Sequence, residues 1–304
     1  MGDILYIVVP CYKEEEVLPE TAKRLKDKMS SLIDNGKIAE SSRIVFVNDG
    51  STDSTWEIIK QLHESDKVFS GINLSRNRGH QNALLAGLMT VIPYADVSIS
   101  MDADLQDDID AVDRMLDRYY EGHDIVYGVR SRRDTDTFFK KATAEGFYKL
   151  MEMFGAKIVF NHADYRLMSK RALEGLREFK EVNLFLRGII PMIGYKSAVV
   201  EYERGERFAG ESKYPLKKML AFAFEGITSL SAVPIRLISI LGMILMCIGV
   251  IALIAGAGIA VASIWFVGGI QLLCIGIIGE YLGKAYLEVK ARPKFIVEEF
   301  INAD

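Results

Sequence analysis

The chain has 304 residues, 50% of them hydrophobic, and a formal net charge of −4. That length suits one large domain with an appendage, or two modest ones, and the apolar content is enough for a sizeable core. The acidic balance argues against a general nucleic-acid binder, which is normally basic.

The N-terminal apolar run, Ile4 to Val9, is short, and Lys13, Glu14, Glu15 and Glu16 follow it at once. It is not a signal peptide, so the N-terminal part is expected to stay in the cytoplasm. Through the first 210 or so residues, short apolar runs alternate with amphipathic stretches. Ile4–Pro10, Arg43–Asn48, Val68–Leu74, Val97–Asp102 and a shorter Asp124–Gly128 read as strands. Glu15–Leu32, Ser54–Glu64, Gln81–Val91 and Ile109–Glu121 read as the helices between them. This alternation predicts an α/β fold with a mostly parallel sheet, whose ligands bind at the carboxyl ends of the strands. The three cysteines, Cys11, Cys247 and Cys274, have neither zinc nor redox spacing. Cys11 reads as a small strand-end residue and not as a nucleophile.

From Leu237 to Ile278 the sequence carries no charged residue. One membrane span needs about 20 apolar residues, so the run is long enough for two. With a break at Gly256 and Gly258, it predicts a transmembrane hairpin at about 235–256 and 261–283. Lys213, Lys217, Lys218 and Arg236 precede the run, and Lys284, Lys290, Arg292 and Lys294 follow it. By the positive-inside rule this predicts a two-span cell-membrane protein with its catalytic domain and both termini cytoplasmic. Pro215 to Leu230 mixes lysines with Leu216, Met219, Leu220, Phe222 and Phe224, the pattern of an interfacial helix. The expected organisation is a catalytic domain over 1–212, interfacial helices over 213–232, the hairpin over 233–284 and a cytoplasmic tail over 285–304.

Three polar clusters follow predicted strands. They are Pro10-Cys11-Tyr12-Lys13-Glu14, Asn48-Asp49-Gly50-Ser51-Thr52-Asp53 and Asp102-Ala103-Asp104-Leu105-Gln106. Alone, Asp49-Gly50-Ser51 is an ordinary turn signal, and Ser51 or Asp53 serves equally as a helix cap. Together the clusters say more. An acidic pair after a strand can hold a divalent cation that substrate phosphates and water complete. Gln106 could add a carbonyl oxygen.

The clusters resemble those of inverting family 2 glycosyltransferases with the GT-A nucleotide-sugar fold. Within that family the chain is similar to the polyprenyl-phosphate group, such as dolichol-phosphate mannose synthase and bactoprenol glucosyltransferases. Asn77-Arg78-Gly79 with Ala83 and Gly87, Gly128-Val129-Arg130-Ser131-Arg132, Asp164-Tyr165-Arg166-Leu167-Met168, Arg207 to Tyr214 and Gly276 to Lys284 carry the resemblance along nearly the whole chain. Two positions depart from the pattern: Lys13 stands where Asn is common, and Asp108 where Pro is common.

The resemblance implies inverting transfer of a hexose from a nucleotide sugar, with a UDP-sugar preferred, to undecaprenyl or another polyprenyl phosphate. The β-linked product would serve cell-envelope glycan modification. Asp102, Asp104 and Gln106 would hold Mg²⁺ or Mn²⁺. Pro10, Tyr12, Glu14, Asp49, Gly79 and Ala103 would form the nucleotide-sugar site. Arg130, Arg207 and Lys213 would join Asp102 and Asp104 as catalytic groups by clamping the acceptor phosphate, since Arg pairs well with phosphate oxygens. Asp164 is read as orienting the sugar or an arginine. His80 and His123 have no metal-site spacing and are read as structural.

The expected partners are the donor, the polyprenyl phosphate, a lipid bilayer and further copies of the chain, such as a tetramer; nucleic acid is excluded. An acceptor phosphate is already anionic near neutral pH, its second pKa being about 6, so no strong general base is needed. A dolichyl-type GDP-mannose transferase remains an alternative. A processive polysaccharide synthase would carry a Gln-x-x-Arg-Trp motif, which is absent here, and a catalytically inactive scaffold would not need the set Asp102, Asp104, Gln106 and Arg130.

Overall fold

The structure is a computed structural model that describes residues 2–130, 162–182, 184–203, 238, 244 and 260–302. Its first half follows the alternation read from the sequence. Strands β1 (Leu5–Cys11), β2 (Arg43–Asn48), β3 (Phe69–Leu74), β4 (Val97–Ser100) and β5 (Ile125–Arg130) are separated by α1 (Leu18–Asp34), α2 (Thr55–Ser65), α3 (His80–Val91) and α4 (Ala111–Tyr120). Then come β6 (His162–Ser169), α5 (Lys170–Arg177), α6 (Leu186–Met192), β7 (Ser197–Tyr202), α7 (Ala260–Lys290) and β8 (Val297–Ile301).

The eight strands form one sheet in the order β7-β5-β6-β4-β1-β2-β3-β8. β1 lies parallel between β2 and β4, and β2 is parallel to β3. The flanks are mixed. β6 runs antiparallel to both β4 and β5, β7 is parallel to β5, and β8 is antiparallel to β3.

Every residue of β1 is buried because helices cover both faces of the sheet, which is why the strand reads as a continuous apolar run. Leu5, Ile7 and Val9 pack on the α1 and α4 side. Tyr6 and Val8 pack on the α3, α5 and α6 side. α1 meets this core with Leu18, Ala22, Leu25, Met29 and Leu32, at the three- and four-residue spacing of an amphipathic helix. α3 lies so close to the sheet that a Cβ at Gly87 would sit 2.4 Å from Val8 Cγ1 and 2.7 Å from Val47 Cγ2. Both neighbours are stiff, β-branched and fully packed. Gly87→Val is therefore expected to destabilise by about 1–3 kcal/mol or more, read as a lower thermal midpoint. An unchanged midpoint would show that the helix can lift off at no cost.

β8 covers the outer edge of β3. Ser75 N donates to Ile296 O (3.1 Å), Asn73 Nδ2 to Glu298 Oε2 (3.1 Å) and Ser70 Oγ to Asn302 Oδ1 (2.6 Å). The antiparallel pairing with β8 satisfies backbone groups that an uncovered edge strand would expose, and the side-chain bonds pin it in place.

The transmembrane hairpin and the two-span membrane placement are corrected. Among the described residues no helix is long and apolar enough to cross a membrane. The stretch assigned to the second span falls in α7, which begins at Ala260 and continues past residue 283 to Lys290. Its last turns carry Glu280 and Lys284, 3.9 Å apart, and Glu288, whose Oε2 accepts a 2.7 Å hydrogen bond from Val182 N of the catalytic unit. The helix end is thus fixed by polar contacts that an uncharged run does not reveal. The first span, at 235–256, and the interfacial helix lie almost wholly outside the described residues. The orientation inferred from the flanking lysines and arginines falls with the hairpin.

Candidate active site

The loops after β1, β2 and β4 meet at the carboxyl edge of the sheet, since the three strands are parallel neighbours. Asp49 N donates to Cys11 O (2.9 Å), Lys13 N to Ser51 Oγ (3.1 Å) and Glu14 N to Thr55 Oγ1 (3.1 Å). The first two clusters are thereby knitted together. Pro10 is buried, Glu14 is half-buried, and Tyr12 is an exposed ring on the rim. Burial pushes the Cys11 thiol well above its ordinary value, with the charges of Glu14 and Asp53 adding to the effect, so it stays a neutral thiol.

Asp49 is buried, and its carboxylate grips the loop before α3. Oδ1 accepts from Arg78 N (2.7 Å) and Oδ2 from Gly79 N (2.9 Å). Burial raises its pKa, and the two amide bonds only partly offset that. Gly50 makes this approach possible. Its φ is +61°, and a Cβ there would lie 2.4 Å from Asn77 N. Only glycine combines that backbone with that contact.

The third cluster forms a turn after β4. Leu105 takes a positive φ of 57°, and Gln106 N donates to Asp104 Oδ1 (3.2 Å). Ala103 is buried, and its carbonyl accepts from Thr21 Oγ1 of α1 (2.8 Å). Asp102 is half-buried beside other carboxylates. Its pKa is raised to about 6, by burial first and by Asp107, Asp164 and Asp104 as well, with His80 opposing them.

Tertiary structure brings in His80, which the sequence marked only as structural, and Arg187, which it did not mark. His80, the first residue of α3, places Nε2 3.5 Å from Asp102 Oδ1 and 3.6 Å from Asp164 Oδ2. Asp164 in turn pairs with Arg166 Nη2 (2.7 Å) and with Arg187 of α6, through Nη2 (3.1 Å) and Nε (3.3 Å). Burial alone would push the Asp164 carboxyl up. His80, Arg187 and Arg166 more than offset it and hold the group well below the usual carboxylate range. Arg166 is the largest fully buried side chain among the described residues, and its ion pair with Asp164 compensates its charge inside the fold. Arg187 was detectable as one cation inside the apolar stretch Leu184 to Ile190. His80 had no such signal.

Arg130 lies at the end of β5. Its Nε donates to Tyr202 Oη (3.2 Å), and its Nη2 is 3.6 Å from Asp107 Oδ1. A cavity of about 1180 Å³ opens on the α1 and α4 side of the same acidic loop, lined by Gln106, Asp107 and Tyr202 with Arg24, Lys28 and Arg114 among others. The structure thus brings Asp102, Asp104, Gln106, Asp49, Gly79 and Arg130 to one edge. Arg207 and Lys213 lie outside the described residues.

The carboxyl edge of a parallel α/β core, where these acidic and basic side chains converge, is where such sheets place their ligands. The chain belongs to glycosyl transferase family 2, whose model matches residues 6–177; it is a glycosyltransferase. The uncharacterized glycosyltransferase YkoT of Bacillus subtilis (strain 168) is 52% identical, over 97% of this chain and 91% of its own length. The prophage bactoprenol glucosyl transferase homolog of Escherichia coli (strain K12) is 38% identical, over 96% of this chain and 97% of its own. A solved structure of glucosyl-3-phosphoglycerate synthase from Mycobacterium tuberculosis, in complex with Mn²⁺, UDP and phosphoglyceric acid, is similar over 75% of this chain and 78% of its own, at 17% identity and a TM-score of 0.48.

Proposed function

We propose that this enzyme transfers glucose from UDP-glucose to a polyprenyl phosphate, undecaprenyl phosphate in the first instance, with inversion at the anomeric carbon. The observation that carries the reading is the similarity to bactoprenol glucosyl transferases over nearly the full length of both chains, not over the family domain alone.

A divalent cation fits the site. Among the described residues no group of three or more histidine, cysteine, aspartate or glutamate side chains is arranged to hold a metal. Mg²⁺ needs no such cage, because one or two carboxylates suffice when substrate phosphates and water fill the remaining positions. The donors present are hard oxygens, and a cation would offset the cost that burial first, and the neighbouring carboxylates after it, place on the charged Asp102. Asp102, Asp104 and the Gln106 carbonyl would hold it, and the bound ion would neutralise the diphosphate leaving group.

The protein's own part is positioning and charge. Tyr12, exposed on the rim, suits stacking on the nucleobase, with Pro10, Glu14 and Asp49 shaping the pocket floor. Asp49 acts here by holding the Arg78 and Gly79 amides in place. Arg130, Arg207 and Lys213 bind the acceptor phosphate, and Asp164 orients Arg187 and His80 beside Asp102.

The test is to incubate the purified protein with undecaprenyl phosphate, Mg²⁺ and, separately, UDP-glucose, UDP-N-acetylglucosamine, UDP-galactose and GDP-mannose. A hexosyl-phosphate lipid in the mass spectrum, with UDP-glucose as the best donor, is expected. No sugar on the lipid with any donor would overturn the reading. Losing a charge-assisted hydrogen bond to phosphate costs about 2 kcal/mol, and each 1.4 kcal/mol is roughly tenfold in rate. Arg207→Ala is therefore expected to cut transfer by more than about tenfold while leaving UDP affinity unchanged. Weaker UDP binding with intact lipid-phosphate affinity would move Arg207 to the donor site.

A further inference from the structure

We propose that Tyr202 is a positioning residue for sugar transfer, whose hydroxyl locks the Arg130 guanidinium onto the acidic loop that follows β4. The proposal rests on Arg130 binding phosphate, as set out above.

Tyr202 is the last residue of β7, only 2% exposed, at the wall of the cavity beside the acidic loop. Its hydroxyl donates a 2.5 Å hydrogen bond to Asp107 Oδ1 and accepts from Arg130 Nε at 3.2 Å. Arg130 Nη2 approaches the same Asp107 oxygen at 3.6 Å. The guanidinium is therefore held along one edge by a hydrogen bond to the Tyr202 hydroxyl and a longer ion-pair contact with the Asp107 carboxylate, which together restrain the position and plane of the fork. Asp107 is one residue beyond Gln106 and three beyond Asp104, so the same relay pins the loop that carries the expected cation ligands.

A second tyrosine supports the arrangement. The Tyr165 ring meets the Tyr202 ring edge-on, with centroids 5.2 Å apart, and its hydroxyl donates to Asp108 O at 2.9 Å. Adjacent residues of the loop are thus tied to β7 and β6, and Tyr202 alone also holds the arginine. Arginine side chains have large rotamer freedom, and catalysis by charge placement depends on spending that entropy before the substrates arrive. The Tyr202 ring packs in the apolar core beside Tyr165, while its hydroxyl serves both Arg130 and the buried Asp107 carboxylate. Removing that oxygen loosens the arginine and takes a donor from Asp107, so a thermal melt accompanies the kinetics.

The experiment is a double-mutant cycle in steady-state transfer, because only a cycle separates a residue that acts through another from one that acts alone. Tyr202→Phe is expected to lower kcat about tenfold, with KM for the nucleotide sugar changed less than about twofold. In an Arg130→Gln background the same substitution is expected to cost less than about twofold, since the group it positions is already gone. Equal losses in both backgrounds, with Arg130→Gln itself impaired, would overturn the proposal and leave the phosphate role of Arg130 standing. An Arg130→Gln enzyme at the wild-type rate would overturn both. Should Tyr202→Phe fail to fold, Asp107→Asn probes the relay from its acceptor end. The same non-additivity with Arg130→Gln is expected, and multiplicative losses would overturn the proposal.

Discussion

Asp104→Asn is expected to lower sugar transfer by at least about a thousandfold while leaving the protein folded. A cation on a diphosphate leaving group is worth several kcal/mol of charge stabilisation, and about 4 kcal/mol corresponds to roughly a thousandfold in rate. Asparagine keeps the shape of the side chain and the oxygen that accepts from Gln106 N, so the turn after β4 survives. What disappears is the negative charge beside Asp102. The measurement is the initial rate of UDP release in the presence of undecaprenyl phosphate, titrated with Mg²⁺, alongside a thermal melt. Turnover near the wild-type rate would remove Asp104 from the cation site. A collapsed melting transition would instead assign it a folding role, which its half-exposed position does not suggest.

Asp164→Ala is expected to be the most destabilising single substitution among the site residues. Asp164 receives Arg166 at 2.7 Å and Arg187 at 3.1 Å, and Arg166 is 1% exposed. Removing one member of a buried pair leaves an uncompensated charge in the interior and costs about 3–5 kcal/mol. For a domain of this size that is a drop in melting temperature on the order of 10 °C. Asp164→Asn, which keeps an acceptor but not the charge, is expected to fall between the two. Chemical denaturation of the three proteins measures the series. If Asp164→Ala unfolds at the wild-type midpoint, Arg166 is compensated by other groups and the ion pair does not hold this part of the fold.

Much of the catalytic half was legible in the linear sequence because its determinants are local. β1 is a continuous apolar run buried on both faces, and α1 is an amphipathic helix beginning beside a proline; each displays its own period. The strand-end clusters were legible for a related reason. When parallel strands lie side by side, the residues following each one must converge, so Tyr12, Asp49 and Asp102 could be placed together before any contact was known. Gly50 reads only as a turn residue and Gly87 only as part of the resemblance; the close approaches that require them are visible in the structure alone.

Other features depended on which distant segments meet. β6 joins the sheet between β4 and β5 although residues 131–161 separate it from β5 in the chain. Its charged positions, Asp164 and Arg166, hide the strand pattern; Asp164 pairs there with Arg166 and with Arg187. The contacts of His80 with Asp102 and of Tyr202 with Asp107 span long stretches of chain, and no spacing rule anticipates them. β8 falls in the stretch read as a cytoplasmic tail over 285–304, and it is the edge of β3 that gives its backbone a partner. The uncharged run from Leu237 to Ile278 reads as a hairpin from its length, its glycine break and its basic flanks, whereas the last turns of α7 are anchored by Glu288 accepting from Val182 N. By itself, then, the sequence determined the α/β alternation and the chemical identity of the strand-end loops, because periodicity and turn chemistry act over a few residues. Only the tertiary structure decided which charges are compensated, which arginine faces the acidic loop and where the C-terminal helix ends, because those outcomes depend on burial and distance between groups far apart in the chain.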